Sequence, residues 1–243
     1  MTTPVARIDL AALRHNLNRV REVATGCRVI AAIKANAYGH GLMQIARILS
    51  DADALAVARV EEALQLRNEG FDGRIIVLEG FNSLPELILC RDSELDLVIH
   101  DRSQLRLLEQ LPDGQLPLRV WVKIDTGMHR LGVPLQAADK TYRCLASSAV
   151  VRNIRLMSHF ANADQPDVRA EQPRQVRGDG PAGRLARHAG CPPPGLGSQP
   201  VHDQRVRLRE VAETVHHGFV DHAQQVQPGR RRVVARPGER AGS

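Results

Sequence analysis

Lysine occurs at only three positions of the 243-residue chain, Lys34, Lys123 and Lys140, although Lys and Arg together number 33. Lys34 ends an apolar run, "RVIAAIK" (28–34), and "ANAYGHG" follows it with a tyrosine and two glycines. An amine held among apolar neighbours has its charge disfavoured, which makes it more nucleophilic and suits it to condense with an aldehyde cofactor. Tyr38 adds a phenol and the glycines add a flexible backbone, both useful beside a phosphate-bearing cofactor. A lone lysine at a strand end also reads as a solvated terminus, so these residues by themselves leave two readings open.

Metal and disulfide chemistry find no such support. Cys27, Cys90, Cys144 and Cys191 are scattered without Cys-x-x-Cys or Cys/His ligand spacing, so no metal site and no disulfide framework is expected. The first residues, "MTTPVARIDLAALRHNL", carry Arg7, Asp9 and Arg14 where a secretory signal needs an uninterrupted apolar core. No later run approaches the roughly 18–20 apolar residues of a membrane span, so the expected compartment is the cytoplasm.

The elements that must position Lys34 follow a regular alternation. Apolar strand patterns at 28–34, 54–60, 74–80, 96–100, 118–125 and 154–161 are separated by helical ones, as in repeated β/α units with a parallel sheet. Leu10, Leu13, Leu17 and Val20 recur at helical spacing with Asp9 as N-cap. Leu42, Ile45, Ile48 and Leu49 repeat the pattern after Gly41, and "VEEALQLRNEGF" predicts a helix closed by Gly70. Strands that are apolar nearly throughout imply cover on both faces, as in a barrel or a doubly wound sheet.

Near residue 166 the pattern changes. Nine of the 14 prolines and ten of the 19 glycines lie in 166–243, where Leu, Ile, Val and Phe together number 14 of 78 residues. That apolar fraction is below the roughly 20% at which a chain struggles to bury a core. Charge divides at the same place: 20 Lys/Arg against 19 Asp/Glu in 1–165, and 13 Arg against 8 acids in 166–243. The overall +6 therefore belongs mainly to this second segment. The expected organisation is a partial α/β barrel over 1–165 and an Arg/Pro/Gly-rich tail over 166–243. The tail reads either as a disordered basic extension or as out-of-frame translation. Only Phe160 and Phe219 supply aromatics after Tyr142, too few for base stacking, so nucleic acid is not an expected partner.

"AAIKANAYGHG" (31–41) resembles the pyridoxal-phosphate attachment motif of the alanine racemase family, and "WVKIDTGMHRLG" (121–132) and "MSHFANAD" (157–164) match that family in order and spacing. The resemblance implies a pyridoxal 5'-phosphate-binding (β/α)8 TIM-type barrel, here with about six units, and interconversion of L- and D-alanine. It implies that Lys34 holds the cofactor and serves as base on one face of the α-carbon. Tyr38 corresponds to the phenol on the cofactor phosphate, and His159 to a cofactor-side histidine. Arg130 corresponds to the arginine that orients the substrate carboxylate, a task its planar fork suits. Lys123 corresponds to a lysine often carbamylated in the family, which would hold Arg130 as an anion; a strand lysine paired with Asp125 or another carboxylate is the other reading. His40 and His129 are expected in turn packing and hydrogen bonding, and Asp125, Thr126 and Gly127 in shaping the loop that aims Arg130.

The resemblance also implies a second base, a tyrosine from the partner subunit of a head-to-tail homodimer. This chain's tyrosines are Tyr38 and Tyr142, and neither matches that position. The family's seventh and eighth strands, phosphate loop and C-terminal domain find no counterpart either, so little or no turnover and doubtful dimerisation are expected of the 243 residues alone. A non-catalytic pyridoxal-phosphate-binding protein is the alternative reading.

Overall fold

The computed structural model describes residues 6–112 and 116–161. Helix α1, Leu10–Val23, starts where Asp9 accepts the Ala11 and Ala12 N–H groups at 2.9 and 3.0 Å, and it buries Leu13 and Leu17. Strand β1 (Ile30–Ala32) follows, then the short helical segment α2 (Lys34–Tyr38) and helix α3 (Leu42–Ile48). The chain continues through β2 (Ala54–Val57), α4 (Val60–Asn68), β3 (Ile75–Val77), α5 (Leu84–Asp92), β4 (Asp96–Ile99) and α6 (Arg102–Leu108). Last come β5 (Leu118–Asp125), the two-residue β6 (Val133–Pro134), α7 (Ala138–Ala146) and β7 (Val151–Ser158).

Every strand pairing is parallel, and the main strands lie side by side in chain order, β1-β2-β3-β4-β5-β7. That sequential order, with helices between successive strands, is the architecture of a β/α barrel. Alternation along each strand separates two apolar layers. Leu55, Val57, Ile75, Val77, Leu97, Ile99, Val120, Val122 and Ile124 face the helices, packing with residues such as Leu17, Ile45, Leu66 and Leu87. Ala54, Ala56, Ile76, Leu78, Val98, Trp121 and Met157 form a second buried cluster on the inner face, with Ile30 of β1 against it. This explains strands without polar alternation: both faces are covered.

Several bounds differ from expectation: the strands predicted over 28–34, 54–60 and 74–80 are shorter, at Ile30–Ala32, Ala54–Val57 and Ile75–Val77, so Lys34 lies beyond β1 rather than at its end. A seventh strand, β6, pairs Val133 and Pro134 with Ile124 and Asp125. Two residues are too few to leave a hydrophobic period in the sequence. The last strand runs from Val151, three residues earlier than predicted, and ends at Ser158, so His159 lies just beyond it. The predicted change of organisation at 166 lies outside the described residues. Among the described residues, no helix is long and apolar enough to cross a membrane.

The amino-terminal end of the inner face is closed by charge. Asp96, fully buried at the start of β4, accepts from Arg74 Nε at 2.9 Å, Arg119 Nε at 2.7 Å and Trp121 Nε1 at 2.9 Å. Arg74 and Arg155 lie over the Trp121 ring, 5.9 and 5.3 Å from its centroid. These five residues bind β3, β4, β5 and β7 together below the apolar cluster.

Candidate active site

At the carboxyl end of β1 the backbone does something L-residues avoid. Ala35, Asn36, Ala37 and Tyr38 all have φ between 52° and 55°, so α2 is a left-handed turn. Such a conformation costs about 1–2 kcal/mol per residue because Cβ crowds the following carbonyl. It persists only where surrounding contacts over-determine it. Here the Ala37 N–H donates to Ile33 O at 2.8 Å, and the Gly39 N–H to Ala35 O at 3.0 Å. Asn36 then secures the exit: its Oδ1 accepts the Leu42 N–H at 2.8 Å and its carbonyl accepts the Gly41 N–H at 3.0 Å. His40 Nδ1 lies 2.7 Å from Ala37 O, while Ala37 and Leu42 are buried in the core. The expectation of a flexible backbone after Lys34 is thus corrected. Gly39 and Gly41 take positive φ, but the four residues between them and Lys34 form a fixed turn.

This turn mounts Lys34 and Tyr38 at its two ends. Lys34 is half-buried two residues past β1, and the Ile33 N–H still pairs with Ala56 O at 2.8 Å. Tyr38 is half-buried with its hydroxyl oxygen enclosed.

The second group stands at the carboxyl ends of β5 and β7. Lys123 is only 5% exposed, on the inner side with Trp121, and its register partner is Met157 of β7. Two residues beyond Met157 lies half-buried His159. Thr126 and Ser158 close the gap between these strands, their hydroxyls 2.6 Å apart, and Ser158 Oγ also donates to Ile124 O.

Asp125 organises the loop that follows. Its Oδ1 accepts the N–H groups of Gly127 and His129, both at 3.0 Å, and its Oδ2 lies 2.9 Å from His129 Nδ1. Burial pushes the Asp125 pKa up, but the two backbone donors and the His129 ring outweigh it and hold the carboxyl below its ordinary value. On the far side of Arg130, Gly132 at φ 136° returns the chain against β5: a Cβ there would lie 2.7 Å from Asp125 N. The loop is pinned at both feet, and Arg130 is exposed at its tip. The expected loop-shaping by Asp125 and Gly127, and the hydrogen-bonding parts of His40 and His129, match this geometry.

All five expected site residues, Lys34, Tyr38, Lys123, Arg130 and His159, therefore lie toward the carboxyl end of one parallel sheet, where β/α barrels carry their chemistry. Lys34 and Tyr38 belong to the β1 side, and Lys123, Arg130 and His159 to the β5–β7 side. Sequence reasoning missed Glu62 of α4, whose carboxylate receives the Asn36 N–H at 3.1 Å. Its signal was present: a Glu at the third position of a helix is a capping residue with a second oxygen to spare.

The family model for the alanine racemase N-terminal domain matches residues 8–190. The alanine racemase of Pectobacterium carotovorum is 48% identical over 169 residues, covering 69% of this chain and 47% of that protein. The biosynthetic alanine racemase of Salmonella typhimurium is 46% identical over 166 residues, covering 68% and 46%. The crystal structure of the biosynthetic alanine racemase from Pseudomonas aeruginosa superposes with a TM-score of 0.64 at 38% identity, covering 70% of this chain and 49% of that one. The chain spans about half the length of the curated relatives it matches. Through the fold of its β/α units and the motifs at their carboxyl ends, this chain belongs to the alanine racemase family.

Proposed function

We propose that this chain carries the Lys34 side of a cytoplasmic alanine racemase site that uses pyridoxal 5'-phosphate and alanine. The single observation behind this reading is the left-handed turn, which presents an amine and an enclosed phenol together at the carboxyl end of β1. The donor set fits the cofactor: Lys34 for its aldehyde and Tyr38 for its phosphate, with the small side chain of Ala56 opposite Ala32 on the adjacent strand. When bound, the cofactor supplies an electron-withdrawing ring that acidifies the α-hydrogen of an attached amino acid.

The rest of the reading concerns the chain's own groups. Lys34 Nζ would hold the cofactor and would accept the substrate's α-proton on one face. Arg130 directs its fork at the substrate carboxylate from the pinned loop, and His159 hydrogen-bonds on the cofactor side. Lys123, 5% exposed, has two readings: a carbamylated lysine whose negative charge would hold Arg130, or a strand lysine paired with Asp125 or another carboxylate. Inversion also needs a proton donor on the opposite face. Tyr38 is assigned to phosphate, and Tyr142 on α7 packs against the helix-side core rather than the inner face.

The test is to load the purified chain with pyridoxal 5'-phosphate, reduce with borohydride, and locate the adduct by mass spectrometry, while following alanine in D2O. Trapping on Lys34, α-hydrogen exchange faster for one enantiomer than the other, and racemisation near background are expected. Trapping without exchange would favour the non-catalytic carrier. No adduct at Lys34 would overturn the cofactor reading, and racemisation at an ordinary enzymatic rate would overturn the assignment of no second base.

A further inference from the structure

Glu62 does more than cap its helix. As the third residue of α4 it receives the Arg59 N–H at 3.4 Å, the long contact of a capping arrangement. The same oxygen accepts the Ala58 N–H at 2.9 Å, in the loop leaving β2. The other oxygen reaches away from α4, 3.1 Å to the backbone N–H of Asn36, inside the left-handed turn. One half-buried carboxylate thus joins two successive β/α loops at the end of the sheet that carries Lys34.

The location of that third contact matters. Asn36 with Leu42 and Gly41, and His40 with Ala37, hold the shape of the turn, while the Ile33 N–H, donating to Ala56 O at 2.8 Å, ties its first end to β2. Glu62 adds a tie in the middle of the turn, at Asn36, and its own position is set by two N–H groups of the β2–α4 loop and by α4 itself.

We infer that Glu62 is a positioning residue that, through the Asn36 N–H, sets the turn carrying Lys34 and Tyr38 and so governs recognition of the phosphate of pyridoxal 5'-phosphate. This rests on the reading that Lys34 and Tyr38 take that cofactor. The carboxylate is needed because it accepts on both oxygens. In Glu62→Gln the side chain keeps its length but one acceptor becomes a donor, which opposes an N–H at one of the two loops.

The experiment compares the full chain with Glu62→Gln, using pyridoxal 5'-phosphate and pyridoxal, which lacks the phosphate, as probes, with borohydride trapping at Lys34 as a further readout. Glu62→Gln is expected to lose about tenfold in affinity for the phosphorylated probe and far less for pyridoxal, and to trap more slowly at Lys34. A cap with no positioning role would lower thermal stability and leave the ratio of the two affinities unchanged; that result overturns the inference while the cofactor reading stands. Absence of any Lys34 adduct in the unsubstituted chain overturns both. Hydrogen exchange on the unsubstituted chain decides the matter if Glu62→Gln does not fold: the Asn36 amide is expected to be protected, and rapid exchange there would overturn the inference.

Discussion

The two ends of the same parallel sheet are built on opposite plans. At the amino end, Asp96, Arg74, Arg119 and Trp121 lock β3, β4 and β5 with charge and hydrogen bonds, and Asp96, Arg119 and Trp121 hold paired strand positions. At the carboxyl end, the backbone is bent into four consecutive left-handed residues and a loop pinned by Asp125 and Gly132, with Lys34 and Arg130 outside the core. One end spends its polar groups on holding the sheet, and the other on aiming side chains. In β/α barrels the amino face is concerned with stability and the carboxyl face with chemistry. Here that division can be assigned to individual residues.

The largest effect expected from testing this contrast is at the amino end. Asp96→Ala removes one partner of a buried ion cluster and leaves Arg74 and Arg119 facing each other, so it should destabilise by about 3–5 kcal/mol. Denaturant unfolding would measure it. A loss under about 1 kcal/mol would mean that the cluster does not lock the sheet.

A smaller effect should differ in sign between two alanines. In the right-handed α1, Ala12→Gly should destabilise by up to about 1 kcal/mol through backbone entropy. In the left-handed turn, Ala35→Gly relieves about 1–2 kcal/mol of Cβ strain against a similar entropic term, so it should be neutral to stabilising. Equal destabilisation of both variants in thermal unfolding would show that the turn is not left-handed in solution.

The smallest effect is that of acid on the Arg130 loop. The folded-state pKa of Asp125 is lowered, so its contribution is fully present above the ordinary carboxylate value near 3.9 and is lost as pH falls through the lower folded value. Exchange of the Gly127 and His129 amides should therefore accelerate only below that window. Acceleration well above that window, with Asp125 still charged, would show that the carboxylate does not hold the loop.

Much of this was legible in one dimension. The Asp9 cap, the Leu13–Leu17 stripe, the helix closed near Gly70 and the span of β5 follow from rules acting over a few residues. The five candidate site residues were singled out because the motifs around Lys34, Arg130 and His159 resemble the family's in order and spacing. The left-handed turn was not. Asn tolerates the left-handed region but Ala disfavours it, and one of the contacts that place the turn comes from a carboxylate 26 residues away from Asn36. Residues 166–243, where the composition changes, lie outside what the structure describes.

Sequence by itself determined the β/α rhythm and the apolar character of both sheet faces and singled out Lys34 as a candidate amine, because periodicity and residue chemistry are local properties. Tertiary structure decided which way the amine's turn winds, where Asp96 is buried and how Asp125 and Gly132 hold the arginine loop. Those outcomes depend on hydrogen bonds and ion pairs between segments far apart in the chain, and no local pattern encodes which partners will meet.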